Sequence, residues 1–238
     1  DLEKPMYDII LEYAEGDNLM KYISQRLTIE EIILLKIADQ ICQALEYLNK
    51  NRCMHRDLKL DNILIDKYGD FKLSDFGTVN IFEENETHKI FTSQQGTKAY
   101  WAPEMDTNSN YTFDVDIYSL GMSLYFASVE EFVSDKNINQ LAQEKSKIPI
   151  SEQYSPQFKS LVESMTLSSN RAQLSNVKEI ILQIETSKKL SSEDQISFDD
   201  SMRLFYGYDG IIDKEKAFST FENLSQKYSN ECAEPVFQ

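Results

Sequence analysis

The sequence predicts a mainly α-helical lobe carrying small β-hairpins, followed by a helix-loop-helix, repeat-like tail. Three observations predict it. Ile32, Leu35, Ala38, Ile41, Cys42, Leu45 and Leu48 recur at helical spacing and mark one long amphipathic helix. Ile63-Leu64-Ile65 and Phe71-Lys72-Leu73 flank Lys67-Tyr68-Gly69-Asp70, the pattern of a hairpin around a Gly/Asp turn. Further on, Met202, Phe205 and Tyr206 form one helical stripe, and Ala217, Phe218, Phe221 and Leu224 a second.

The elements follow in order. Within Met6 to Tyr13, the apolar run Ile9-Ile10-Leu11 predicts a buried strand. Glu15-Gly16-Asp17-Asn18 marks a turn, and Leu19, Tyr22 and Ile23 open a helix. Thr28 is placed to cap the long helix, with Glu31 completing a capping box. Cys42 reads as a core residue on the apolar face of that helix. Asp114 to Gly121, DVDIYSLG, opens an apolar stretch that Leu124, Tyr125 and Val129 continue. Helices around Asn137 to Lys145, Gln157 to Leu167 and Leu174 to Ile184 complete the lobe. Residues 187–196 are polar and read as a linker.

The residues that carry chemistry lie between His55 and Glu104. His55-Arg56-Asp57 is followed by Lys59 and Asn62, and Asp75-Phe76-Gly77 closes the hairpin. Folding back through that hairpin would bring Asp75 toward Asn62, so one cleft could hold both oxygen donors. Gly96 to Glu104 reads GTKAYWAPE. Together these motifs resemble the catalytic loop, metal-binding loop and activation segment of a eukaryotic protein kinase. The GT-x-x-Y-x-APE form and Asp57-Leu58-Lys59 resemble the serine/threonine branch.

That resemblance implies ATP and Mg²⁺ as cofactors and a protein hydroxyl as substrate. Asp57 would orient the hydroxyl and accept its proton, and Lys59 would set a positive charge near the γ-phosphate. Asn62 and Asp75 would be the metal ligands, oxygen donors suited to a hard cation. Thr97 would bond to Asp57 and Lys59. His55 would hold the loop by backbone hydrogen bonds, and Asp116 would accept backbone hydrogens of the loop and bear on Arg56. Phe76 and Gly77 complete the metal loop, and Glu104 would pair with Arg171. At the hinge, Leu11 would fill the gatekeeper position, and the Glu12 carbonyl and Ala14 amide would face the adenine edge. Asp17 or Asn18 would reach the ribose, with Leu64 as a further nucleotide contact. Thr87, Thr92 and Ser93 are candidate phosphosites whose phosphate could pair with Arg56.

By the same resemblance, residues 1–186 form a kinase domain from the hinge through the large lobe, with the small lobe missing. The sequence carries no Gly-rich loop, no strand lysine in a VAIK-like context and no helix supplying its Glu partner. The expectation is a parent protein that is an active serine/threonine kinase, and a chain that alone binds ATP poorly and transfers phosphate slowly. Residues 197–238, with Gly210 ahead of Asp213-x-x-Lys-Ala-Phe, resemble one Sel1-like repeat, a unit that wants neighbours stacked on it. The alternative for this tail is a helical extension packed on the lobe. The alternative function is a non-catalytic kinase-like scaffold whose helical tail docks protein partners.

Composition narrows the partners. The 238 residues are enough for a substantial core, with 41% hydrophobic residues. Forty acidic residues against 24 basic ones give a net charge of -16, which repels nucleic acid and anionic membranes. The same charge suits either a basic substrate or a solvated acidic face. Cys42, Cys53 and Cys232 show no paired or metal-ligand spacing and fit a reducing, cytoplasmic setting. No apolar run has membrane-spanning length, so no membrane insertion is expected.

Overall fold

The computed structural model describes residues 10–25, 29–83, 96–107 and 112–187, less 132, 135 and 168–170, together with Lys216, Ser219, Thr220 and Asn223. The elements in chain order are α1 (Leu19–Ser24), α2 (Glu31–Lys50), β1 (Cys53–Met54), β2 (Ile63–Ile65), β3 (Phe71–Leu73), β4 (Asn80–Ile81), α3 (Pro103–Asp106), α4 (Asp114–Ser128), α5 (Ile138–Gln143), α6 (Pro156–Met165) and α7 (Leu174–Ser187). As the sequence predicts, the fold is mainly helical with little β-structure, here two small antiparallel strand pairs.

The lobe is built around α2 and α4. Leu35, Ala38, Ile41, Cys42, Leu45 and Leu48 are buried, and Ile32 packs against the same core. Each such Leu or Ile contributes about 1.5–3 kcal/mol when fully buried. Helix α4 is apolar all round and buried along nearly its whole length, as a central helix must be. Its serines meet that burial by bonding to backbone carbonyls: Ser119 Oγ donates to Tyr100 O (2.9 Å) and Ser123 Oγ to Ser119 O (2.8 Å). Ser155 caps α6 by accepting from the Phe158 amide (3.2 Å), with Pro156 at the first helical position.

The hairpin β2–β3 has the predicted strands, with Ile63 opposite Leu73 and Ile65 opposite Phe71. Its turn is shaped by Asp66, whose Oδ1 accepts from the amides of Tyr68 (2.8 Å) and Asp70 (3.0 Å). Strands β1 and β4 form the second pair, Met54 opposite Asn80. A satellite core of Met54, Phe82, Ala102, Met105 and Val115 ties β1 to the N-terminal end of α4.

Several expectations are corrected. Ile10 and Leu11 form no buried strand: they are 96% and 74% exposed, and no described residue pairs with them. Apolar content alone does not bury a strand that lacks a partner. Thr28 lies outside the described residues, and α2 starts two residues later than a Thr28 cap implies, with Glu30 at the N-cap position. The Glu31 carboxylate accepts from the Ser155 amide and hydroxyl (2.7 Å each), a partner far along the chain. Ser187, read as linker, is the last residue of α7. Thr87, Thr92, Ser93, the segment Ser168 to Asn170 and most of the tail lie outside the described residues. Lys216, Ser219, Thr220 and Asn223 are helical. Among the described residues no helix is long and apolar enough to cross a membrane.

Candidate active site

The site grows from β1. The chain leaves Met54, buried in the satellite core, and enters His55 and Arg56, both buried. Two consecutive amides there have no strand partner, and Asp116 supplies one. His55 N donates to its Oδ2 (2.7 Å) and Arg56 N to its Oδ1 (2.8 Å). Burial pushes the Asp116 carboxyl above the usual carboxylate range, against the opposing pull of His55 and of the Arg56 amide. These bonds hold Arg56 at φ 68°, a left-handed conformation that a non-glycine residue adopts only where its surroundings demand it.

Asp57, Lys59 and Thr97 form a closed triangle. Lys59 Nζ lies 3.0 Å from Asp57 Oδ2 and donates to Thr97 Oγ1 (2.9 Å), whose hydroxyl donates to Asp57 Oδ1 (3.0 Å). Asn62, on a single 3-10 turn (Leu60–Asn62), donates from Nδ2 to Asp57 O (2.7 Å) and Asp57 Oδ2 (3.3 Å). This spends the amide's donors on Asp57 and leaves Oδ1 available to a cation. Gly96 closes one wall. At φ 103°, a β-carbon there would sit 2.5 Å from Arg56 O and 3.3 Å from Asp57 Oδ1, so a side chain would push into the carboxylate.

The hairpin returns the chain to Asn62: Ser74 N and Oγ both donate to Asn62 O (2.8 and 3.0 Å). Asp75 follows at once, left-handed at φ 59°, exposed, and accepting from Gly77 N (3.2 Å). Its neighbour Phe76 is half exposed and meets His55 edge-on, with ring centroids 5.5 Å apart. His55 itself is tied to the same strand end, Nε2 to Ser74 O at 3.0 Å, while its Nδ1 accepts from Asp57 N (3.3 Å). The imidazole therefore spans the two loops that carry Asp57 and Asp75.

The shelf beside the triangle rests on a bidentate pair. Arg171 donates from NH1 to Glu104 Oε1 (2.7 Å) and Asp114 O (3.0 Å), and from NH2 to Glu104 Oε2 (3.1 Å). The guanidinium also lies 4.8 Å from the Tyr118 ring centre.

The hinge is arranged differently. Gly16 N donates to Ile65 O (2.8 Å), Ile65 N to Asp17 O (3.1 Å), and Asn18 bridges Leu64. Residues 16–18 thus run as a partial third strand along β2. Asn18 Oδ1 is engaged as the cap of α1, accepting from Lys21 N (2.9 Å), and Asp17 pairs with Lys21 Nζ (2.7 Å). Ala14 and Leu64 are half-buried, while Glu12 sends its side chain to Lys72 (3.0 Å).

Two supporting residues were not singled out from the sequence. Gln40, on the polar side of α2, donates to Asp70 Oδ1 (2.8 Å) and accepts from Phe71 N (2.7 Å), pinning the hairpin from below. Thr78 donates to His55 O (2.8 Å); a hydroxyl directly after Gly77 was the one hint available.

Comparison with known proteins agrees with this geometry. The sequence profile of the protein kinase domain matches residues 2–185. The chain belongs to the protein kinase family. It is 34% identical over 175 residues to a probable serine/threonine-protein kinase KIN1 homolog of Enterocytozoon bieneusi (strain H348), covering 71% of this chain and 29% of that protein. It is 39% identical over 118 residues to the NUAK family SNF1-like kinase 2 of Homo sapiens, covering 49% of this chain and 18% of that protein. A match of 39% over 119 residues joins it to the cell cycle serine/threonine-protein kinase CDC5/MSD2 of Saccharomyces cerevisiae (strain ATCC 204508 / S288c), covering 49% of this chain and 17% of that protein. The kinase lobe described here therefore corresponds to less than a third of the length of these relatives.

Proposed function

We propose that this kinase lobe serves transfer of the γ-phosphate of ATP to a serine or threonine hydroxyl of a protein, with residues 1–186 as the kinase-domain portion and residues 197–238 as a repeat-like tail for protein contacts. The observation that carries it is the triangle of Asp57, Lys59 and Thr97, with Asn62 bonded to the same carboxylate. Phosphoryl transfer asks the protein mainly for positioning and charge stabilisation. Asp57 is buried, held at both oxygens, and placed to orient a hydroxyl and take its proton. Lys59 neutralises charge beside it.

Asn62 Oδ1 and the Asp75 carboxylate fit a hard cation that brings its remaining ligands on phosphate oxygens and water. Among the described residues no cluster of three or more His, Cys, Asp or Glu side chains could hold a metal by itself, which suits a cation shared with the nucleotide. Mg²⁺, when bound with ATP, supplies charge neutralisation of the phosphates.

The sequence has no Gly-rich loop, so the chain assayed alone is expected to bind ATP weakly. The test is Mg²⁺-dependent transfer of labelled γ-phosphate to protein substrates, with Asp57→Ala as control. Loss of at least a hundredfold in rate in that variant is expected. Transfer by the longest product of the gene that Asp57→Ala leaves unchanged, or no transfer at all, would overturn the reading in favour of a non-catalytic binding module.

A further inference from the structure

The hinge segment at Glu12 to Glu15 has no regular structure and stands exposed apart from half-buried Ala14. Two ion pairs fasten it to the hairpin. Lys72 on β3 lies 3.0 Å from Glu12 Oε1 and 3.4 Å from Asp66 Oδ2, and Lys67 lies 3.8 Å from Glu15 Oε1. The first link has a rigid foundation. Asp66 is buried, and its other oxygen is fixed by the Tyr68 and Asp70 amides of the turn. Lys72 is fixed in turn by its place opposite Leu64. Glu12 is the flexible end, its side chain 69% exposed. Glu12 holds the Lys72 ammonium above the ordinary lysine range against the opposing cost of burial, and Asp66 adds to the rise, as expected of a cation shared by two carboxylates.

We infer that Lys72 is a positioning residue for nucleotide binding, anchoring the hinge backbone through Glu12 to the hairpin that ends in Asp75. The inference rests on the reading of this lobe as an ATP-binding one. Gly16 and Asn18 are already fixed to β2 through the backbone. Without Lys72, the backbone from Glu12 to Ala14 is restrained from one side only. With it, the segment facing the base and the strand leading to the metal ligand move as one body. The bridge is partly exposed, so its effect is modest and screened by salt.

The experiment uses the longest product of the gene, titrated with a fluorescent ADP analogue and assayed for phosphotransfer. Lys72→Met is expected to weaken nucleotide binding about 2- to 5-fold and raise KM for ATP equally, with kcat unchanged. Lys72→Arg restores affinity. Glu12→Gln combined with Lys72→Met is no weaker than the worse single variant, because both cut one link. Raising salt weakens the unsubstituted protein toward Lys72→Met and leaves that variant nearly unmoved. Amide exchange at residues 12–14 quickens in Lys72→Met without nucleotide. Unchanged affinity in Lys72→Met, or additive losses in the double variant, would overturn the inference while the functional reading stands. Failure of the unsubstituted protein to bind nucleotide would sink both.

Discussion

Two regions of this lobe are held in opposite ways. The loop around Asp57 is fixed by hydrogen bonds to buried or half-buried groups: Asp116 beneath, Thr97 beside, Asn62 and His55 across. The hinge is fixed by two backbone bonds and by ion pairs whose members are mostly half exposed. In the first region each bond is costly to lose, because the orphaned partner has no water to turn to. In the second, water replaces what is lost. The lobe thus stiffens the loop around Asp57 and leaves the hinge adjustable.

The sharpest probe of the buried side is Cys42, on α2 below the loop. Burial pushes its thiol up to about 12, with nearby Asp39 adding to the rise. Alkylation needs the thiolate. For an acid whose folded-state pKa is raised, the native state holds the proton more tightly, so this stabilisation is complete below the ordinary thiol pKa and fades as pH climbs toward 12. At pH 8 native Cys42, fully buried, is expected to react with iodoacetamide at least ~100-fold more slowly than half-buried Cys53, because the reagent reaches it only when the helix opens. Peptide-level mass spectrometry reads both sites in one sample. Comparable rates would mean that the floor under the loop opens readily, and the contrast between the regions would collapse.

Asp116→Ala comes next. It strips the acceptor from two buried amides, His55 N and Arg56 N, and frees Arg56 from its left-handed conformation. A loss of about 3 kcal/mol in urea unfolding is expected, from roughly 1–3 kcal/mol per orphaned group. Asp116→Asn keeps one carbonyl acceptor and should lose less than Asp116→Ala. Equal stability of all three proteins would show that the loop does not depend on this carboxylate.

How much of this was legible in the sequence follows the same division. The α2 stripe, the β2–β3 hairpin and the residues of the Asp57 triangle could be named because period and motif are local properties. Leu11 was misread because burial depends on what lies opposite a strand. The bonds from Ser155 to Glu31 were illegible because the two residues lie far apart along the chain. Gln40 and Lys72 escaped notice for a related reason. Each bonds across the fold from an otherwise ordinary polar position, and no spacing rule connects Gln40 to Phe71 or Lys72 to Glu12.

On the hinge side, Gly16→Ala is expected to matter more than any exposed ion pair. A β-carbon there would stand 2.5 Å from Ile65 O and 3.1 Å from Ile65 Cβ, both belonging to the strand it bonds to. Because the obstacle is backbone, the hinge must move off β2, weakening the Gly16 N to Ile65 O bond. A loss of about 1–2 kcal/mol is expected, the range for one strained, partly broken hydrogen bond, with faster amide exchange at Gly16 and Ile65. Unchanged exchange at both amides would show that the hinge has slack to absorb the methyl group.

The smallest effect belongs to Lys21→Ala, and it sets the scale for the whole contrast. Lys21 and Asp17 meet at 2.7 Å, shorter than the Glu12–Lys72 bridge, yet their side chains are 57% and 51% exposed. Distance alone would rank this pair among the strongest in the lobe. Solvent screening and the entropy of two long side chains argue instead for less than about 0.5 kcal/mol, shrinking further with added salt. Asn18 still caps α1 through the Lys21 backbone amide, which the substitution leaves in place. Urea unfolding at low and high salt measures the difference directly. A loss above 1 kcal/mol would mean that the exposed hinge is held as firmly as the buried loop, and that its adjustability must come from somewhere other than weak ion pairs.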